Sequence, residues 1–141
     1  MLPFKIGDYM SISFFLKNHN AMVSLPSQFF NEDEPEGPNN ERFEKQNIYP
    51  EVNVSNINAY RIFKFLGMAK DGEMKYVGEI TDVDAFVKLV NSKEQEAKEF
   101  LKNEFAPAEE KIEHHYIQNR LVQLDKLGRY ALALNDTIVW A

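Results

Sequence analysis

His19, His114 and His115 are the chain's three histidines, and they are the first residues to weigh for chemistry. His114 and His115 are adjacent. Neighbouring helical residues point about 100° apart, so these two cannot share a metal ion. Glu110 and His114 stand at i, i+4 and could give two ligands, but a catalytic zinc needs a third and no motif supplies it. The absence of cysteine excludes thiolate zinc sites, a disulfide framework and a cysteine nucleophile. No Gly-x-Ser-x-Gly elbow is present, and six dispersed glycines cannot form a P-loop or a dinucleotide fingerprint. The sequence therefore predicts no metal, no cofactor and no assignable catalytic residue. Among the carboxylates, Asp125 comes nearest to an acid in an apolar setting, between Leu124 and Leu127. Arg120 is close enough along a helix to pair with it, although five residues is not the best spacing.

The most specific polar cluster is Asn53-Val54-Ser55-Asn56-Ile57-Asn58-Ala59. It surrounds a predicted helix start, where unbonded amides and the positive end of the dipole favour an anion. Two readings stand side by side. In one, Asn53, Ser55, Asn56 and Asn58 hold a phosphate or carboxylate, with Arg61 or Arg120 as the counter-cation; Lys64 and Lys70 lie farther along. In the other, these side chains cap the helix and bond the preceding turn.

The elements that must position these residues follow from periodicity. Met10, Ile12, Phe14 and Leu16 alternate with Tyr9, Ser11, Ser13 and Phe15, the period-2 pattern of a strand with one wet face. Lys17-Asn18-His19-Asn20 reads as a turn and 21–25 as the returning strand, which predicts an N-terminal hairpin. Val52 to Val54 is a short extended piece. Ser55 then caps a helix whose apolar stripe is Ile57, Tyr60, Phe63 and Leu66, widened by Ile62 and Phe65 and stopped by Gly67. Lys75 to Ile80 alternates weakly as a strand. Thr81-x-x-Asp84 resembles a capping box before Val83, Phe86, Val87 and Val90, and Ser92-x-x-Gln95 offers a second start to a helix that Pro107 breaks. The longest helix runs from Ala108 to about Leu134, apolar over two neighbouring faces, as for a helix wedged between two surfaces. Asn135-Asp136 is a turn and Thr137 to Ala141 a terminal strand. The expected fold class is α+β: a small antiparallel sheet, from the N-terminal hairpin plus the C-terminal strand, packed on three to four helices.

Composition bounds the rest. The chain has 141 residues, 44% of them hydrophobic and 27% charged, which suits one ordinary domain with a real core. Its net charge is −6, which argues against general nucleic-acid binding. The acidity is local: from Asn31 to Glu44 six acids face one base, so the remaining residues together carry only −1. That run, with Pro35, Gly37 and Pro38, reads as a solvated flexible loop over 31–46. No apolar run approaches a membrane span and Met1 to Phe4 begin no signal pattern, so a cytoplasmic, soluble protein is expected.

The block Asn53-x-Ser55-Asn56-x-Asn58-Ala59, followed by Ile62-Phe63-x-Phe65-Leu66-Gly67, resembles a family of small uncharacterised phage, prophage and bacterial proteins. Their pattern is S-N-x-N-A, an apolar helix ending in Leu-Gly, a Gly-Glu pair, a short helix, then Y-[LI]-Q-x-R-L and a terminal V-x-W-[AG]. Gly78-Glu79, Tyr116-Ile117-Gln118-x-Arg120-Leu121 and the terminal Trp140-Ala141, with Ile138 at the place of the pattern's Val, continue the match, which spans roughly 52 to 141. The chain thus divides into a hairpin region at 1–30, the acidic loop, and a family-like part at 47–141, within a single domain. The resemblance carries no functional residue. It implies a context, that of a mobile-element accessory protein in the bacterial host cytoplasm.

Three functions are therefore expected in order. The first is a non-catalytic binding module acting on a host protein, such as a defence component, with exposed aromatics such as Tyr9 and Phe15 as anchors. The second is an oligomeric sponge for an anionic nucleotide, which predicts converging amides and an Arg or Lys in a deep pocket. The third is a small hydrolase, which requires two acids facing each other in a cleft.

Overall fold

In the computed structural model the described residues are 11–19, 23–26, 45–48, 50–70 and 72–141. Alternation of apolar and polar side chains builds the sheet first. Strand β1 (Ser11–Leu16) buries Ile12, Phe14 and Leu16 and turns Ser11, Ser13 and Phe15 the other way. Its antiparallel neighbours are β4 (Glu51–Ser55) and β6 (Ile138–Trp140), and β5 (Gly78–Ile80) adds to β6, giving the order β4-β1-β6-β5. Register aligns the buried apolar side chains on one face: Ile12 opposite Val54, Phe14 opposite Val52 and Trp140, Leu16 opposite Ile138, and Ile80 opposite Ile138. Phe14, Phe63 and Trp140 meet there as a tilted aromatic cluster with centroids 5.0–6.5 Å apart. Gly78 has no side chain because none fits: a Cβ there would lie 2.1 Å from the Trp140 ring.

The α+β class with a small antiparallel sheet on three helices stands, but the strand pairing differs from expectation. The predicted hairpin does not form. The returning strand exists as β2 (Val23–Pro26), yet it pairs with β3 (Lys45–Ile48) in a separate two-stranded sheet. The reason lies in the intervening turn. The Asn18 backbone N–H and side-chain amide both donate to Asp136, so the polar groups expected to close a local hairpin instead tie β1 to the start of β6. Lys45 and Gln46, assigned to the acidic loop, belong to β3. The rest of that loop, 31–44, lies outside the described residues, as do Tyr9, Met10 and residues 20–22.

Three helices complete the described core, two against the sheet's buried face and one mainly against another helix. Ser55 caps α1 (Asn56–Phe65) by accepting from Asn58 N–H at 3.3 Å, and Gly67 ends it at φ +77°, a conformation few residues other than glycine tolerate. The buried stripe of α1 is Ala59, Ile62, Phe63 and Leu66, rotated from the predicted one because small Ala59 and buried Asn56 take the inner positions; Ile57 is 54% exposed. Helix α2 (Val83–Leu101) starts one residue later than predicted, with Asp82 accepting from Ala85 N–H at 3.1 Å. It passes Ser92 without a break. Ion pairs Lys88–Asp84 and Lys98–Glu94 support its exposed side, and no Gly or Pro interrupts it. Helix α3 (Ala108–Ala133) contacts α2, α1, β1, β4 and β6, the wedged position its wide apolar face predicted. Gly128 lets α2 approach closely: a Cβ there would lie 2.5 Å from a Val87 methyl. No residue from 98 to 115 is buried, and contact of α3 with the core begins at Tyr116. Among the described residues no helix is long and apolar enough to cross a membrane.

Candidate functional site

The most constrained polar group is one the sequence did not single out. Asp136 follows Asn135, which takes a left-handed φ of 54°, and its carboxylate is fully covered by the structure. Oδ1 accepts from the Asn18 side chain (2.9 Å) and Thr137 N–H (2.7 Å); Oδ2 accepts from Asn18 N–H (2.9 Å) and meets His19 Nδ1 at 2.7 Å. Desolvation pushes the Asp136 pKa up, but bonds from His19, Thr137 and Asn18 prevail and hold it below the usual carboxylate value. Because a carboxylate only accepts, His19 Nδ1 carries hydrogen, and Nε2 holds the lone pair in the neutral ring. That is the orientation a carboxylate gives a general base. The neighbouring hydroxyl does not complete the arrangement: Thr137 Oγ1 donates to Glu79 Oε2 at 3.4 Å, and Glu79 also pairs with Lys17. His19 and Asp136 were legible only as members of two separate turns, and nothing in either turn signals the other.

The amide cluster is distributed rather than gathered. Asn53 lies on the sheet's open face and donates to Ser11 Oγ (3.1 Å) and Ser13 Oγ (2.8 Å), while Ser13 Oγ donates to Glu51. Ser55 is the helix cap, and Asn56 is buried. Asn58 and Arg61 do meet, with Arg61 Nη1 donating to Asn58 Oδ1 at 3.2 Å. Arg120 stands elsewhere, its guanidinium 5.0 Å from the Tyr116 ring centroid and Nη1 donating to Gln123 at 2.6 Å. It does not pair with Asp125, whose partner is one turn farther on. Arg129, at the better i+4 spacing, donates through Nε to both Asp125 oxygens (3.0 and 2.9 Å), which raises the Arg129 pKa, and Asn91 of α2 adds a bond at 3.1 Å. Phe15 is half-buried on the open face, opposite Glu51 and Val139.

His114 donates through Nδ1 to the Glu110 carbonyl at 2.7 Å, so that pair is a helical side-chain to backbone contact. Its ring lies flat on Phe100, centroids 3.7 Å apart. Among the described residues no three His, Asp or Glu side chains gather as a metal site.

Two open cavities lie on opposite flanks of α1. One, of about 440 Å³, is lined by Phe63, Met68, Met74 and Trp140 with Lys70 and Glu73 at its margin. The Trp140 indole donates to the Lys75 carbonyl at 2.9 Å and so fixes one wall. Exposed Tyr76 and Val77 connect this cavity to the edge strand β5. The second, of about 470 Å³, lies between α1, α2 and α3 and includes Arg61, Tyr60, Phe65, Lys93 and His114.

This geometry defines a small α+β scaffold whose described buried or multiply bonded polar groups serve turns, caps and helix pairing. No family model, curated protein or solved structure matches the chain.

Proposed function

We propose that this protein is a non-catalytic binding module of phage or prophage origin that acts on a host protein, a defence component being the expected kind. The observation that carries the reading is the face beside β5. Met68, Tyr76 and Val77 are exposed there, at 39%, 37% and 71%, next to an apolar cavity walled by Phe63, Met74 and Trp140. Exposed aromatic and Met side chains around an apolar hollow are the composition of an interface centre. β5 is also an edge strand among the described residues, so its outer backbone groups offer an extended partner segment a ladder to join. Phe105 (88%) and Ile112 (69%) are also exposed, at the α2–α3 tip, but neither lines a described cavity. Isolated exposed hydrophobics of that kind need no explanation. The mobile-element context rests on the resemblance of residues 52 to 141 alone.

Quantitative affinity capture from bacterial lysate tests this with three baits: the native chain, Val77→Asp and Phe105→Asp. One host protein should be enriched on the native chain and Phe105→Asp and lost on Val77→Asp. Equal recovery on all three would remove the β5 face from the account.

A further inference from the structure

We infer that the cavity between α1, α2 and α3 binds a compact aromatic anion bearing an amino group, the chemistry of an adenine or cytosine nucleotide. It is a different face from the protein-docking surface beside β5 and does not depend on that reading.

Charge is the first argument. The chain carries −6, yet Arg61 and Lys64 of α1 and Lys93 of α2 line this one cavity with Glu96 and Glu113. Lys93 pairs with Glu96 at 2.9 Å, and the Lys64 and Lys93 ammoniums lie 6.0 and 5.9 Å from the Tyr60 and Phe65 ring centroids, which leaves Arg61 as the principal anion contact. Cations on facing walls of a concave site focus attraction for an anion despite the overall sign. Arg61 is anchored for the purpose, its Nη1 held by Asn58 while four further guanidinium N–H donors remain for a phosphate.

Aromatic surface is the second. Tyr60 and Phe65 line the cavity, and each has a contact that holds it in place, that of Phe65 being His114 on the same cavity wall. Gly72 N–H donates to the Tyr60 hydroxyl at 2.9 Å, and Phe65 meets the His114 ring edge-on at 5.7 Å. Rings immobilised before binding lose little entropy when a base lies on them. Glu113 adds an acceptor at the wall that α3 contributes. A simple polyanion would be repelled by it, whereas an exocyclic amino group would donate to it. His114, with Nδ1 spent on Glu110 and its face on Phe100, offers only Nε2 to a ligand. The volume, about 470 Å³, suits one nucleotide.

The test is an NMR titration of the isotope-labelled full chain with adenosine 5′-monophosphate, adenosine and inorganic phosphate as separate probes. The monophosphate should shift amides of residues 60–65, 93–96 and 113–117, and adenosine and phosphate should each bind about tenfold or more weakly. Arg61→Ala should weaken the monophosphate by roughly tenfold, as loss of a charge-assisted contact does, with the remaining spectrum unchanged. Val77→Asp should leave this binding unaltered, so failure here and failure of the docking reading are separately visible. Phosphate binding as tightly as the nucleotide, Arg61→Ala binding as tightly as the native chain, or no shift at those amides would each overturn the inference.

Discussion

Asp136 illustrates how a single side chain can decide a topology. Its four bonds gather the end of β1 and the start of β6, segments separated by more than a hundred residues, into one corner. Replacing it by Asn would turn an amide donor toward groups that themselves donate. Asp136→Asn should therefore cost about 1–3 kcal/mol near neutral pH. The acid dependence follows from the depressed folded pKa. A carboxylate whose folded value lies below its unfolded value, about 3.9, contributes fully above that value and loses its contribution as pH falls through the folded one. In urea unfolding across a pH series, the gap between native and Asp136→Asn proteins should stay constant above about pH 5 and narrow below about pH 4. A gap that persisted unchanged into acid would show that the carboxylate charge is not what the corner uses. None of this was legible in advance. Asn18, His19 and Asp136 each carry a turn signature, and turn signatures are local; the bond between two turns belongs to the tertiary fold.

Among the elements, legibility followed the range of the interaction. The Ser55 cap, the Gly67 stop and the inward face of α3 came through, because each is set by residues within one or two turns. By contrast, α2 ends at Leu101, short of the Pro107 expected to break it, and Pro107 instead precedes α3. Strand pairing did not. Ile12 and Phe14 advertise a strand but carry no mark of whether Leu25 or Val54 lies alongside. The α1 stripe was misread by a fraction of a turn, since Tyr60 is as apolar in pattern as Ala59 and only packing distinguishes them. For the same reason the candidate site was half visible: Arg61 was marked, while Lys93 and His114 reach the same cavity from other helices. The closeness of α2 to α3 gives an element-level prediction. Gly128→Ala gains up to about 1 kcal/mol of helix propensity but drives a methyl into Val87, an overpacking worth about 1–3 kcal/mol. It should destabilise the native chain and become neutral or stabilising in a Val87→Ala background. A thermal-unfolding double-mutant cycle reads the change of sign, and the same sign in both backgrounds would refute close approach as the reason for glycine.

At the scale of the whole molecule, the described structure divides its labour. Asp136, Ser55 and Asp125 hold a corner, a cap and a helix pair together, and the sheet's apolar face is covered by α1 and α3, with α2 packed on α3. What remains on offer is shape: an apolar hollow continuing into an edge strand, and a cationic, aromatic cleft on the other flank of α1. On the proposed reading, a protein so arranged acts by being bound. The most direct measurement is site-specific photo-crosslinking in bacterial cells, with a photoreactive residue placed at position 77 or, as the comparison, at position 105. The account predicts one discrete adduct with a host protein from position 77 and none of that mass from position 105. Identical adducts from both positions, or adducts from 105 alone, would contradict it.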